Sequence, residues 1–254
     1  MHVANRMGSI ALPLRFKGVR MAVEIIRTLI VPDIHNHIEN ADHWLSSQTC
    51  EQVVFLGDYF DNFGDNAGDA RKTAFWLRNR MDSTDDVFLL GNHDVPYMFP
   101  SKDELYCPGF TRGKAKAIYE ILKPEHWHRF KLAHEEQGWL LSHAGFHPVW
   151  MEEPTVEKIL RRCGEAMRRV ARGKVDPILG MGLDRGGWLQ NFGGPLWMDW
   201  DSLVPIPGIN QIVGHTPGTE VRVKITTKSR NFCLDVKNAS VAGLLCDGKL
   251  EILS

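Results

Sequence analysis

Val53-Val54-Phe55-Leu56-Gly57-Asp58-Tyr59-Phe60-Asp61 decides how the chain is read. Four apolar residues, three of them β-branched or aromatic, are too few for a helix and suit a strand buried on both faces. A glycine then permits a sharp backbone turn, and carboxylates follow at once. The same construction recurs along the chain. Residues 28–31 lead into Pro32-Asp33-Ile34-His35, and residues 87–90 into Gly91-Asn92-His93-Asp94. Residues 139–141 lead into Ser142-His143-Ala144-Gly145, and residues 211–213 into Gly214-His215-Thr216-Pro217. Five short strands therefore each end on Asp, His or Asn. Parallel strands bring their carboxyl ends to one edge, where open α/β sheets hold ligands.

Helical stretches separate the early strands: 38–47, 67–81 with Ala70, Ala74, Leu77 and Met81 at helical spacing, and 112–122. Residues 155–172 carry an apolar stripe of Val156, Ile159, Leu160, Cys163, Met167 and Val170, the mark of a helix packed on a core. Strand–helix alternation implies parallel strands with crossover helices. The second half changes style. Residues 130–135 and 138–141 read as a hairpin about Glu136-Gln137. Residues 220–226, 232–235, 239–246 and 249–253 read as antiparallel strands, the last two joined by a tight Asp247-Gly248 turn. The expected result is two packed sheets with helices outside. Residues 180–194 hold six glycines and read as a loop, of a length that in compact domains is usually functional or disordered.

Asp33, His35, Asp58, Asn92, His143 and His215 form the candidate ligand set. Singly, each has an ordinary explanation: an Asp-x-His surface pair, a turn, a satisfied core histidine. Their joint occurrence, each just after a strand, is the signal. Oxygen and imidazole donors without thiolate suit Mn, Fe or Zn better than Ca or a cysteine-type structural zinc. Six protein ligands exceed what one tetrahedral ion uses, and with one carboxylate bridging they suit a pair of ions.

The ordered set Asp-x-His, Gly-Asp-x-x-Asp, Gly-Asn-His-Asp, His-Ala-Gly and Gly-His-Thr, across residues 33–217, resembles the calcineurin-like metallophosphoesterases. Leu196-Trp197-Met198-Asp199, Pro205-Ile206-Pro207-Gly208 and Phe232-Cys233-Leu234-Asp235 are similar to its phosphoprotein-phosphatase branch, and Ser142-His143-Ala144-Gly145 to bacterial and phage members. The resemblance implies an α/β fold, a four-layer α/β/β/α sandwich of two mixed sheets, covering residues 23–254 after an N-terminal extension of residues 1–22. It implies two divalent metal ions, with Mn favoured over Fe or Zn. Asp33 and His35 would hold the first, Asp58 would bridge, and Asn92, His143 and His215 would complete the second. His93 would protonate the leaving oxygen, with Asp61 holding its ring. The implied activity is phosphomonoester hydrolysis, on a phosphoprotein or a small metabolite, by attack of a hydroxide shared between the ions. The alternative on the same site is cleavage of a dinucleoside polyphosphate or a phosphodiester. A non-catalytic scaffold would have no need of His93 and Asp61.

Two departures from the family's patterns matter. The arginine that usually follows Gly-Asp-x-x-Asp is Asn62 here, which removes a bidentate phosphate clamp. Arg185, in the glycine-rich loop, is the candidate substitute for binding substrate. Thr216 is followed by Pro217 rather than by the second histidine of many phosphodiesterase and nuclease members, which tilts the reading toward monoesters. His37 reads either as lining the mouth of the site or as a cap on the following helix, the cap being favoured. Trp188, Trp197 and Trp200 lie near the loop, where packing is favoured over stacking on substrate.

Composition excludes other classes. A hydrophobic fraction of 43% in 254 residues supplies the core of one large domain. With 30 basic residues against 31 acidic, the net charge of −1 does not suit a protein that coats a polyanion, so a nucleic-acid partner is not expected. No run of 18 apolar residues exists to place it in a membrane. Five cysteines at wide spacings with no CxxC pair fit a reducing, cytoplasmic setting. Residues 1–20 are basic and without acids, but their apolar part, 10–14, is too short for a secretory signal.

Overall fold

Strand β1 (Arg27–Val31) shows how the layers arise. Side chains alternate across a strand. Leu29 and Val31 accordingly join the core that contains the helices, while Ile30 joins a separate core formed by strand residues. A strand apolar on both faces needs a layer on each side of it.

The computed structural model describes residues 26–188, 190–237 and 240–254. After β1 come α1 (Ile38–Ser47), β2 (Gln52–Phe55), α2 (Ala67–Ser83), β3 (Val87–Leu89), α3 (Val95–Met98), α4 (Arg112–Tyr119), α5 (Pro124–Trp127), β4 (Phe130–Lys131), β5 (Ala133–Glu136) and β6 (Trp139–Ser142). Then follow α6 (Val156–Ala171), β7 (Asn210–Val213), β8 (Arg222–Ile225), β9 (Arg230–Cys233), β10 (Ala242–Cys246) and β11 (Lys249–Leu253). One sheet has the order β11-β10-β1-β2-β3-β4 and the other β5-β6-β7-β9-β8. β1 to β4 are parallel, β10 and β11 antiparallel additions. In the second sheet β6, β7 and β9 are parallel, with β5 and β8 antiparallel at the edges.

Ile30, Val54, Leu56, Val87, Leu89, Trp139, Leu141, Ile212 and Leu245 meet between the sheets. Ala41 and Trp44 of α1 and Ala70, Ala74, Leu77 and Met81 of α2 cover the outer face of the first sheet. Ile159, Cys163, Ala166 and Val170 of α6 pack in the same cluster as Leu140 of β6. The fold is thus the expected α/β/β/α sandwich of two mixed sheets. At the amino ends of the strands the sheets are tied by Gln137, whose amide donates to Ile26 O and Thr28 Oγ1, and by Trp139 Nε1 donating to Gly248 O.

One local expectation is corrected. Residues 130–135 do not form one hairpin arm. β4 extends the first sheet beside β3, and after Leu132 the chain enters β5 of the second sheet, where Glu136 pairs with Trp139. The turn lies at Gln137-Gly138, both with positive φ. The Asp247-Gly248 turn also has positive φ at both residues, as a two-residue hairpin of this twist requires. The extension of residues 1–22 lies outside the described residues, as do residues 23–25 and Ala239.

A buried carboxylate anchors α6 to the segment that leads into the glycine-rich loop. Asp176, fully buried, accepts from Arg162 at 2.5 and 3.0 Å, from Arg169 at 3.0 Å and from Ile178 N at 3.1 Å. Burial alone would raise its pKa, but the Arg162 bonds and the Ile178 amide hold it below the ordinary carboxylate value. A depressed folded-state pKa contributes stability present above the unfolded value of 3.8, and that contribution is lost as pH falls through the folded value. Asp176→Ala is expected to cost about 2–3 kcal/mol at pH 7, the range of hydrogen bonds to charged groups. The gap in urea midpoint between the two proteins should narrow as pH falls below 3.8; an equal gap at pH 7 and pH 3 would refute this role.

Candidate active site

The five strand ends converge. β1, β2 and β3 deliver Asp33, His35, Asp58, Asn92 and His93, while β6 and β7 deliver His143 and His215 across the seam between the sheets. Asp33, His35, Asp58, Asn92, His93 and His215 line one cleft of about 390 Å³ with His37, Asn62, Arg185, Trp197, Asp235 and Lys237, while His143 is fully buried against Asn92 and His215.

The backbone around them is unusual and tightly bonded. His35, Asn36, Asp58, Asp61 and His215 all have φ between 45° and 70°, a region side chains other than glycine seldom adopt. Their loops hold this geometry through specific bonds. The Asp94 carboxylate accepts from Asp58 N, Tyr59 N and Gly91 N at 2.8–2.9 Å, locking the second and third strand ends together. Asp58 O accepts from Ile34 N and His35 N, tying in the first. Asp33 accepts from His215 N at 3.0 Å, and Gly214 N donates to His143 O at 2.7 Å. Glycine is required at two strand ends for close approach. A Cβ on Gly91 would land on the Asp58 carboxylate, and one on Gly214 would land on that of Asp33.

Two donor clusters result, Asp33–His35–Asp58 and Asp58–His143–His215, with Asp58 common to both. His143 Nε2 lies 3.0 Å from Asn92 Oδ1, 3.1 Å from His215 Nδ1 and 3.3 Å from Asp58 Oδ2. These four atoms are all lone-pair donors to a cation. A single proton on His143 cannot serve the other three, and a divalent cation at their centre satisfies all. The outer nitrogens are already assigned: His143 Nδ1 lies 3.1 Å from Leu56 O and His35 Nδ1 lies 2.7 Å from Asp61 O. That arrangement fixes the tautomers so that Nε2 of each ring faces the cluster. Electrostatics agrees. Burial would push His143 down, yet the Asp58 and Asp33 carboxylates raise it to about 9. Burial raises Asp33, while Asp58, although buried, is held low by the imidazoles of His143 and His93. His215, buried beside His143 and Arg185, is pushed well down and cannot take a second proton. The pocket draws positive charge onto whichever group can carry it. The residues therefore fit two divalent cations.

A third cluster, Asp61–His93–Cys107, does not fit a cation. The buried ammonium of Lys114 stands 2.9 Å from Asp61 Oδ1. His93 Nδ1 lies 3.2 Å from Asp61 Oδ2, so its ring is oriented by that carboxylate, and its backbone N donates to Asp58 Oδ1 at 2.9 Å. Burial would lower the His93 pKa, but Asp58 and Asp61 raise it to about 12, which keeps a proton on the ring.

Arg185 stands in the cleft and is not a solvent-facing loop residue. Its Nε pairs with Asp199 Oδ2 at 2.7 Å, and a terminal nitrogen donates to Thr216 Oγ1 at 2.8 Å. The loop is packed from within: Cβ atoms on Gly182, Gly187, Gly193 or Gly194 would strike neighbouring backbone. Two expectations are corrected. His37 occupies the N-cap position of α1 without a side-chain cap bond, its Nε2 lying 2.9 Å from Asn62 Nδ2 at the mouth of the cleft. Packing does not account for Trp188, which is 82% exposed, whereas Trp200 is buried and Trp197 meets the His215 ring edge-on. Lys114, Tyr97, Asp94, Asp235 and Lys237 were not singled out as site residues from sequence, and only Asp94, inside Gly-Asn-His-Asp, and Asp235, inside Phe232-Cys233-Leu234-Asp235, carried a local signal.

The profile of the calcineurin-like phosphoesterases matches residues 26–218. The fold is similar to the solved structure of a cold-active protein-tyrosine phosphatase of a psychrophilic Shewanella sp., at 16% identity, 91% of this chain, 81% of that one and a TM-score of 0.56. It is similar to a protein serine/threonine phosphatase from Saccharomyces cerevisiae, at 11% identity, 89% of this chain, 78% of that one and a TM-score of 0.51. It is also similar to a provisionally assigned diadenosine tetraphosphatase, at 16% identity, 91% of this chain, 94% of that one and a TM-score of 0.50. At these identities the likeness speaks for the fold alone. No curated protein matches the sequence closely enough to count as a relative.

Proposed function

The chain belongs to the calcineurin-like phosphoesterase family, and on that premise we propose that it is a metal-dependent phosphatase acting on phosphomonoesters. The observation that carries the reading is the meeting of lone-pair donors around Asp58 beside a histidine, His93, that ligates nothing. Asp33, His35 and Asp58 would hold one ion, and Asp58, Asn92, His143 and His215 the other, with Mn favoured by the oxygen and imidazole donors. Bound there, divalent cations neutralise phosphoryl charge and make water a stronger nucleophile at neutral pH.

The chain's own residues do the rest. His93 presents a protonated ring to the leaving oxygen, and Asp61 fixes the ring's direction. Asp94 holds the Asp58 and Asn92 loops at a fixed separation. Arg185 and Lys237 bring positive charge to the cleft, which favours the dianion of a monoester over a singly charged diester. Pro217 stands in the cleft wall where a second histidine would serve diester cleavage. We also propose a cytoplasmic location, supported by five cysteines at wide spacings with no CxxC pair.

The test compares 4-nitrophenyl phosphate, bis(4-nitrophenyl) phosphate, a phosphopeptide and diadenosine tetraphosphate with added Mn²⁺. The monoesters should be turned over fastest; a faster diester or dinucleotide would overturn the choice. Arg185→Ala should raise KM for the monoester by about tenfold, as loss of one charge-assisted hydrogen bond implies. Arg185→Lys should recover only part of this, because an ammonium lacks the guanidinium fork. An unchanged KM in Arg185→Ala would remove Arg185 from the substrate contacts.

A further inference from the structure

Asp61 uses its two oxygens for different purposes. Oδ2 faces His93 Nδ1 at 3.2 Å. Oδ1 accepts from Tyr97 Oη at 2.5 Å and from Lys114 Nζ at 2.9 Å. Lys114 is 4% exposed, an unusual place for a lysine in the middle of a short helix, α4. Its remaining donors go to Gly109 O at 3.0 Å and to the Asp65 carboxylate. Asp65 is held in turn by Asn36 Nδ2 at 2.8 Å. Burial would lower the lysine's pKa, but Asp65 and Asp61 together raise it above the ordinary value, so the ammonium stays charged.

Such a lysine needs a reason, since a buried pair contributes little net stability over an apolar substitute. We propose that Lys114, together with Tyr97, is a positioning residue for the reaction: the two donors occupy Asp61 Oδ1 so that Oδ2 alone is presented to His93. This rests on the reading of His93 as the acid. With only His93 as partner, the carboxylate would rotate about its terminal torsion, which is broad and soft. Pinned on one oxygen from two directions, it offers the ring one hydrogen-bond direction.

The experiment is a double-mutant cycle on the Mn²⁺-loaded protein, with Lys114→Met, His93→Ala and the pair, assayed on 4-nitrophenyl phosphate and on an alkyl phosphate. For Lys114→Met, kcat on the alkyl ester should fall roughly tenfold or more, within the span of general acid catalysis, with 4-nitrophenyl phosphate and KM changed less than about threefold. In the His93→Ala background the same substitution should have no further effect on kcat. Bound-metal count should be unchanged throughout, a readout independent of turnover. Additive losses, or equal losses on both esters, would overturn the positioning role. Full activity of His93→Ala on the alkyl ester would instead refute the acid itself. Should Lys114→Met not fold, Tyr97→Phe, which removes the other donor to the same oxygen, is expected to give the same non-additive, leaving-group-dependent loss.

Discussion

Asp58→Asn is expected to lower kcat/KM by at least about 10³-fold, because charge stabilisation by bound cations is worth several kcal/mol and each 1.36 kcal/mol is tenfold. Asp58 is the one side chain shared by both donor clusters. Its Oδ2 lies 3.3 Å from His143 Nε2 and 3.6 Å from His35 Nε2, and its Oδ1 accepts from His93 N. Asparagine keeps the shape and one acceptor. It puts an amide that donates, and carries no charge, where a bridging oxygen is needed. The fold should survive, since the loop is held by its backbone: Asp58 N to Asp94, and Asp58 O from Ile34 and His35. Thermal midpoints without divalent ions should therefore lie close together for the two proteins. Added Mn²⁺ should raise only the wild-type midpoint, as a ligand that binds the native state at 100 times its Kd contributes about 2.7 kcal/mol. A variant that keeps both the metal-dependent rise and the activity would remove Asp58 from the centre.

His93→Ala should reduce kcat on an alkyl phosphate by about 10²–10⁴-fold while leaving metal content unchanged, the range expected for loss of a positioned general acid. The effect should shrink with leaving-group pKa. 4-Nitrophenolate departs without a proton, and an alkoxide does not. The ring's surroundings fit this task. It touches Asp61 and Cys107 through Nδ1, and it meets His35 edge-on at 5.3 Å between centroids. It belongs to neither cluster that includes Asp58. A uniform loss on both esters accompanied by loss of metal would make His93 a ligand instead. Full retention on the alkyl ester would leave the leaving oxygen without a protein acid.

Much of the fold was legible because the signals were local. Each strand that ends in the site is a short apolar run followed within two residues by Asp, Asn or His, and α2 and α6 advertise their buried faces by periodicity. What escaped the sequence depended on long-range geometry. β4 and β5 are two and four residues long and adjoin across Leu132, so nothing in residues 130–136 says that the chain changes sheets. Lys114 lies in Arg112-Gly113-Lys114-Ala115-Lys116, which reads as the solvated face of a helix. Its burial becomes visible only once Asp61 and Asp65, about fifty residues earlier, are folded against it. His37 looked like a cap because a polar residue before a helix commonly is one. Its ring instead meets Asn62, the residue standing where related phosphatases are expected to carry arginine. Arg185 was found by elimination from that same absence, while its pairing with Asp199 and Thr216 had no sequence signature.

Anomalous diffraction from crystals of the Mn²⁺-loaded protein tests the central claim most directly. Two peaks about 3.5–4 Å apart are predicted, as in two-metal sites, with the Asp58 carboxylate between them. Asp33 and His35 should lie on one side, and Asn92, His143 and His215 on the other. A single peak, or density seated instead among Asp61, His93 and Cys107, would contradict the account.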